Sequence, residues 1–138
     1  MKSSKRRLPG INIQYPISRL ILDGSKTIET RTYPIPAEYI GQEMAIIETP
    51  GKEGSFKSRV VGTVIFGESF PYDSEKDFYK DSLRHRVTKE SPWRWEAQKP
   101  KWGWPILAVV RFESEITPPP RRGIKFTRSV SVPTTPST

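Results

Sequence analysis

The chain has 138 residues, of which 34% are hydrophobic and 28% charged, and this length suits one domain with a small core. It contains no cysteine and one histidine, which excludes disulfides, thiol catalysis and zinc sites built on cysteine or on several histidines. No apolar run approaches 18 residues and no apolar segment follows the basic N-terminus, so we expect a cytoplasmic protein with no membrane span, signal peptide, metal or other cofactor.

The net charge of +8 is carried by the two ends of the chain. Residues 1–7 and 118–138 together hold eight of the 23 basic groups and none of the 15 acids, so the remainder holds 15 groups of each sign. Basic ends on a neutral body favour a nucleic acid as partner, because each phosphate contact releases counterions. The alternative interpretation is that the charged ends only keep the protein in solution.

The first part of the chain predicts an arm, a strand, a helix and a second strand. Residues 1–9 are basic and contain a proline, which predicts a flexible arm. Residues 11–14 alternate apolar and polar side chains, as a strand does. Pro16 suits the first turn of a short amphipathic helix, which Gly24 ends. Residues 27–33 are rich in β-forming types and predict the second strand.

The later part of the chain predicts three more strands and one more helix. Residues 44–47 and 60–66 are apolar enough for buried strands, and residues 106–112 form a third such run. Ser74 precedes acidic residues and predicts a helix start, because its hydroxyl can cap the first turn. Residues 129–138 consist of Ser, Thr, Pro, Val and no other type, which predicts a disordered tail.

Residues 24–31 read Gly-Ser-Lys-Thr-Ile-Glu-Thr-Arg, the pattern G-x-K-x-x-E-x-R between a helix and a strand. This segment resembles the signature of the ASCH family, named for homology to activating signal cointegrator. Residues 14–16, 61–64 and 102–112 are similar to other parts of that family, so the resemblance covers about residues 11–112. It implies that the motif faces a ligand cleft.

The element count and the resemblance together predict an α+β domain over residues 10–128. Five to six short strands with two or three short helices packed outside them suit a small barrel. The resemblance implies that this is a PUA-like β-barrel that binds nucleic acid.

The motif can also be interpreted from its residues alone. Side chains alternate along a strand, so Thr27, Glu29, Arg31 and Tyr33 are expected on one face, and Lys26 can reach over that face from the turn. A guanidinium binds phosphate, and a carboxylate accepts from an exocyclic base amine. The alternative is that Glu29 and Arg31 form an ion pair that only orders the sheet.

Aromatic and basic residues elsewhere add candidate contacts. Tyr15, next to the helix, is the preferred ring for stacking on a base. Tryptophans pair at residues 93–95 and 102–104, where packing competes with ligand binding, and Trp102 or Trp104 is expected in the core. Arg121 and Arg122 belong either to an exposed last strand or to a basic flap over the cleft.

The sequence therefore predicts a module that binds single-stranded RNA or a modified nucleotide. Its expected ligand-binding residues are Tyr15, Lys26, Thr27, Glu29, Arg31, Tyr33, Arg121 and Arg122. The alternative is a metal-independent hydrolase, acting on RNA or on an acylated nucleoside, with Lys26 and Glu29 as catalytic residues. The amidohydrolase version conflicts with Glu29, because those enzymes carry Thr there and a carboxylate raises a lysine pKa. A third hypothesis is a protein-interaction module that uses the Pro-rich tail.

Overall fold

A computed structural model describes residues 5–120 and 122–134. The described residues form seven strands, three α-helices and one 3-10 helix, Ala37–Tyr39. The strands are β1 (Lys5–Gln14), β2 (Ile28–Arg31), β3 (Glu43–Thr49), β4 (Arg59–Phe66), β5 (Phe70–Pro71), β6 (Trp102–Ile116) and β7 (Phe126–Pro133). The helices are α1 (Ile17–Leu22), α2 (Glu75–Lys80) and α3 (Ser82–His85).

The strands build one mixed sheet. Its order is β2-β6-β4-β3-β1-β7, and β5 pairs with the start of β6 on the edge opposite β2. β1 and β3 are parallel, and the other pairings between named strands are antiparallel. The α+β class is confirmed, but the closed barrel is only an approximation, because no ladder joins β2 to β7 among the described strands. The predicted five to six strands also fall short of the seven observed.

The two ends of the chain differ from the predicted arm and tail. Residues 5–9 form the first half of β1, and residues 129–133 form most of β7, with Leu8 opposite Val130. Val130 and Val132 alternate with serines and are buried against Leu8, so the two ends satisfy each other's backbone groups and apolar side chains. Residues 1–4 and 135–138 of the predicted arm and tail lie outside the described residues.

Local sequence signals set the helix boundaries. Gly24 follows α1 with a φ of 84°, a conformation that favours glycine, and its N–H donates to the Ile21 carbonyl. Ser74 caps α2 by accepting from the Asp77 N–H at 3.1 Å, as predicted. Within the described part of the chain, no helix has the length and hydropathy needed to cross a membrane.

The main core lies between α1 and the curved sheet, and Trp104 is its largest fully buried side chain. Its ring contacts Phe66 and stacks on Phe126 of β7. Gly62 of β4 lets the neighbouring strand approach, because a Cβ there would lie 2.2 Å from the Val110 carbonyl oxygen and 3.0 Å from Leu22 of α1. The prediction that Trp102 or Trp104 lies in the core is confirmed.

A buried ionic cluster ties α1 to β3 and β4. The fully buried Glu48 carboxylate accepts from Ser18 Oγ at 2.5 Å, and it pairs with Arg19 Nε at 3.0 Å and Arg59 Nε at 2.7 Å. Burial raises the pKa of Glu48, but the bonds from Ser18 and Arg59 and the charge of Arg19 outweigh it, so the pKa lies below its ordinary value.

Candidate functional site

A cleft of about 370 Å³ lies where α1, β2, the segment after α3 and the start of β6 meet. We call this space the cleft. Its charged lining residues are Lys26, Glu29, Arg31, Arg86, Lys101 and Lys125. Among the described lining residues there are thus five cations and one carboxylate. The apolar part of the wall comes from Ile13, Ile17, Leu20, Val87, Trp93 and Ile124.

The turn between α1 and β2 delivers the motif residues into the cleft. The Lys26 N–H donates to the Leu20 carbonyl at 2.9 Å, which folds the chain back under the helix. β2 then pairs with the start of β6, so that Glu29 lies opposite Trp104. Ile28 is buried, as expected for the face opposite Glu29.

Lys26, Glu29 and Arg31 form a charged triad inside the cleft. Their side chains are 3%, 8% and 16% exposed. Glu29 Oε2 accepts from Arg31 Nε at 3.0 Å and also lies 3.0 Å from Arg31 Nη2, and Glu29 Oε1 lies 3.7 Å from Lys26 Nζ. Glu29 therefore orders Arg31 by an ion pair, and all three groups line the cleft.

Arg31 also bridges the open side of the sheet. Its Nη2 donates to the Asn12 carbonyl of β1 at 3.0 Å, and its Nη1 lies 3.4 Å from the Tyr33 hydroxyl. The guanidinium lies 5.5 Å from the centroid of the buried Trp104 ring. Burial lowers the pKa of Arg31, but Glu29 and Tyr33 outweigh it and the pKa is raised, so the guanidinium stays charged.

Lys101 is a second buried lysine in the cleft, and sequence analysis did not place it there. Its side chain donates to the Trp93 carbonyl at 2.5 Å, and the residue is 8% exposed. Burial lowers the pKa of Lys26 and of Lys101. The charge of Arg31 lowers the Lys26 pKa further, and the charges of Lys26 and Lys99 lower the Lys101 pKa further. Glu29 opposes the shift at Lys26 without reversing it. An anion in the cleft would relieve this repulsion.

His85 supports the cleft from behind. Its ring accepts from the Val87 N–H at Nδ1 and bonds the Phe78 carbonyl through Nε2, so the neutral form with the proton on Nε2 satisfies both partners. The pKa of His85 is lowered, and burial is the main cause. Its backbone carbonyl accepts from Lys26 Nζ at 2.5 Å.

Four of the predicted ligand-binding residues come together in the cleft. They are Lys26, Glu29, Arg31 and Tyr33, and Lys125 Nζ lies 4.4 Å from the Tyr33 ring centroid. Ile124, which is 93% exposed, and Lys125 also line the cleft.

Three of the other predicted residues do not join them. Thr27 is exposed and outside the cleft lining, because the turn continues through it: its N–H donates to the Arg84 carbonyl and β2 begins one residue later. Tyr15 packs its ring against Phe56 with centroids 5.5 Å apart. Arg122 lines a different hollow, and Arg121 lies outside the described residues.

The tryptophans divide between packing and the cleft. Trp95 packs with Phe78 and Tyr79 in a small cluster under α2, whereas Trp93 is 42% exposed and lines the cleft. Trp93 is therefore the aromatic ring best placed to stack on a base. Among residues 5–120 and 122–134, no group of three or more acidic or histidine side chains is arranged to hold a metal ion.

Comparison with solved structures identifies the fold. The chain superimposes on the crystal structure of ASCH from Zymomonas mobilis with a TM-score of 0.62 and 15% sequence identity, covering 79% of this chain and 72% of that one. A Tyr-to-Phe variant and a Ser-to-Ala variant of the same protein give TM-scores of 0.61, at 14% and 15% identity, with 79% of this chain and 74% and 72% of those chains covered. No protein-family profile and no curated protein sequence matches this chain.

Proposed function

Since the chain has the fold of the ASCH structures, we propose that it binds one nucleotide of a single-stranded RNA in the cleft. The observation that carries this proposal is the buried surplus of cations: Lys26, Arg31 and Lys101 lie around a single carboxylate, Glu29, in a space of about 370 Å³. Buried cations are costly unless an anion pairs with them, and a phosphate group supplies that anion.

The chemistry and position of the cleft residues assign some of them to the phosphate and others to the base. Arg31 is held by Glu29, so it presents a fixed guanidinium to a phosphate. Lys125 is exposed, and its Nζ lies 4.4 Å from the centroid of the Tyr33 ring, which also lines the cleft. Trp93 offers a half-exposed indole face for a base, and the aliphatic wall of Ile17 and Leu20 suits the rest of the ring.

The test compares a charged nucleotide with its uncharged nucleoside. Isothermal titration calorimetry should show that cytidine monophosphate binds much more tightly than cytidine, or that cytidine does not bind at all. Two variants test the cations: Lys26→Met keeps the length of the side chain, and Lys125→Ala lies at an exposed position. Each should lower the affinity for the monophosphate by about tenfold, as expected for a lost charge-assisted hydrogen bond.

Arg128→Ala is the matched control, since Arg128 is an exposed cation on β7 that does not line the cleft. It should leave monophosphate affinity within twofold. Equal binding of cytidine and its monophosphate, or equal loss in the control and the cleft variants, would refute the proposal.

A metal-independent hydrolase is the second candidate, and the state of Lys26 favours it. Burial lowers the pKa of Lys26 although a carboxylate lies 3.7 Å away, which is the direction that a general base requires. The acid at Glu29 still differs from the Thr of the amidohydrolases that resemble this family. Incubating the purified protein with RNA and with N-acetylated cytidine tests it. Product that forms with the wild type and not with Lys26→Met supports hydrolysis, and no product supports a binding module.

A further inference from the structure

A second hollow of about 660 Å³ lies beside the cleft. It is lined by three cations, Lys57, Arg59 and Arg122, with Glu115 as the single acid among its described lining residues. Phe56 and a stretch of residues 116–118 complete the wall. We call this space the second hollow. None of these side chains lines the cleft.

Neighbouring residues of the chain line the two spaces. Thr49 lines the cleft and Pro50, the next residue, lines the second hollow. In a second segment, Arg122 lines the second hollow and Ile124 lines the cleft, with Gly123 between them. Two segments of the chain therefore each contribute to both spaces, which places the second hollow next to the cleft.

The second hollow contains a fixed planar cation. The Arg59 guanidinium stacks on the Phe56 ring at 3.8 Å from its centroid. Its Nε donates to the buried Glu48 at 2.7 Å and its Nη1 pairs with Glu115 at 3.1 Å. These contacts hold the plane in place, and a base can stack on a guanidinium plane as it does on an aromatic ring.

Lys57 and Arg122 are exposed and line the same hollow as Arg59. Cations that flank a stacking surface are the arrangement that single-stranded nucleic acids require, because the bases stack while the backbone phosphates are neutralised. A mononucleotide bound in the cleft would leave this surface unused.

We propose that the second hollow binds the nucleotides that adjoin the one in the cleft. This rests on the proposed function, and it narrows the ligand to a single strand of several nucleotides rather than a mononucleotide. Arg59 and Phe56 carry a base, and Lys57 and Arg122 contact the phosphates that link it to the strand.

The experiment measures binding of a fluorescently labelled six-nucleotide cytidine RNA by anisotropy and of cytidine monophosphate by calorimetry, at several salt concentrations. The RNA should bind at least tenfold more tightly than the monophosphate. The double variant Lys57→Ala/Arg122→Ala should weaken the RNA by about tenfold and reduce the slope of log K against log salt by about 1.4, at about 0.7 per lost phosphate contact. Its affinity for the monophosphate should not change.

Arg128→Ala again serves as the control for loss of exposed charge, and it should change RNA affinity less than twofold. RNA that binds no more tightly than the monophosphate, or a control that weakens RNA as much as the double variant, would overturn this inference and leave the cleft proposal standing. Failure of the monophosphate to bind would count against the cleft itself, so the two failures are distinct.

Discussion

Neutralising Glu29 should destabilise the protein, because this carboxylate is the anion between two buried cations. At an effective dielectric constant of about 20, a charge pair at 3.0 Å attracts by about 5.5 kcal/mol and one at 3.7 Å by about 4.5 kcal/mol. Desolvation offsets most of that attraction, and removing one partner of a buried pair typically costs about 3–5 kcal/mol. Glutamine keeps a hydrogen bond to Arg31, so we expect Glu29→Gln to lower the free energy of unfolding by about 2–4 kcal/mol.

The deficit should depend on pH through Lys26. The Lys26 pKa in the folded wild type is below that of the unfolded chain, so the folded state releases its proton first and stability rises with pH through that window. Glu29 raises the Lys26 pKa, and its removal therefore lowers the folded pKa further. As pH rises, the free energy of unfolding of the variant therefore starts to increase at a lower pH than that of the wild type. The difference in unfolding free energy between the two should shrink between neutral and alkaline pH.

Urea denaturation at pH 6.5 and pH 9.5, with an unchanged m-value, measures both effects. Glu43→Gln is the control: its carboxylate is 23% exposed and pairs with Arg6, which stays protonated throughout. It should cost about 1 kcal/mol at both pH values, as a partly exposed pair does. A Glu29→Gln deficit below 1 kcal/mol at pH 6.5, or one that does not shrink at pH 9.5, would refute the assignment of Glu29 as the anion that compensates Lys26.

Three further outcomes follow from the same contacts. Gly62→Ala should lower the unfolding free energy by about 2 kcal/mol or more in thermal denaturation, because its Cβ would lie 2.2 Å from the Val110 oxygen. Glu48→Ala should cost about 3–5 kcal/mol at neutral pH in urea. Since the Glu48 pKa is lowered, that stability is lost as pH falls through the folded pKa, so acid titration should narrow its deficit. Cytidine monophosphate affinity should fall between pH 7.5 and pH 10 in calorimetry, because the pKa values of Lys26 and Lys101 are lowered and neutral lysines do not attract phosphate.

Helix α1, its end at Gly24, and strand β2 could be predicted because their sequence signals lie within a few residues of each element. Gly24 and the alternation after Ile28 depend on backbone conformation within a few residues, which the sequence displays directly. Thr27 was misplaced because the alternation was extended one residue too far back, into a turn that is held by the Arg84 carbonyl. That bond joins segments far apart in the chain, and no local pattern contains it.

The remaining errors also come from long-range pairing. Residues 129–133 have the composition of a tail, and their Val–Ser alternation forms a strand only because β1 lies opposite. Lys101 reaches the cleft because β6 pairs with β2, which brings it near a lysine 75 positions earlier in the chain. Its burial is a property of the sheet and not of its neighbours in sequence.

The position of the cleft follows from where the sheet remains open. Among the described strands, β2 lies at one end of the strand order and β1 and β7 at the other, and no backbone ladder joins them. Side chains span this gap instead: Arg31 of β2 donates to the Asn12 carbonyl of β1, and Lys125, just before β7, lies over Tyr33. In a backbone ladder, each N–H donor is bound to a backbone carbonyl. The donors that span this gap are instead charged side-chain groups, which a phosphate can also bind. The positive charge of the cleft is thus concentrated at the unclosed edge of the barrel-like sheet. The spacing of Lys26, Glu29 and Arg31 in the chain places these three charged groups at that edge.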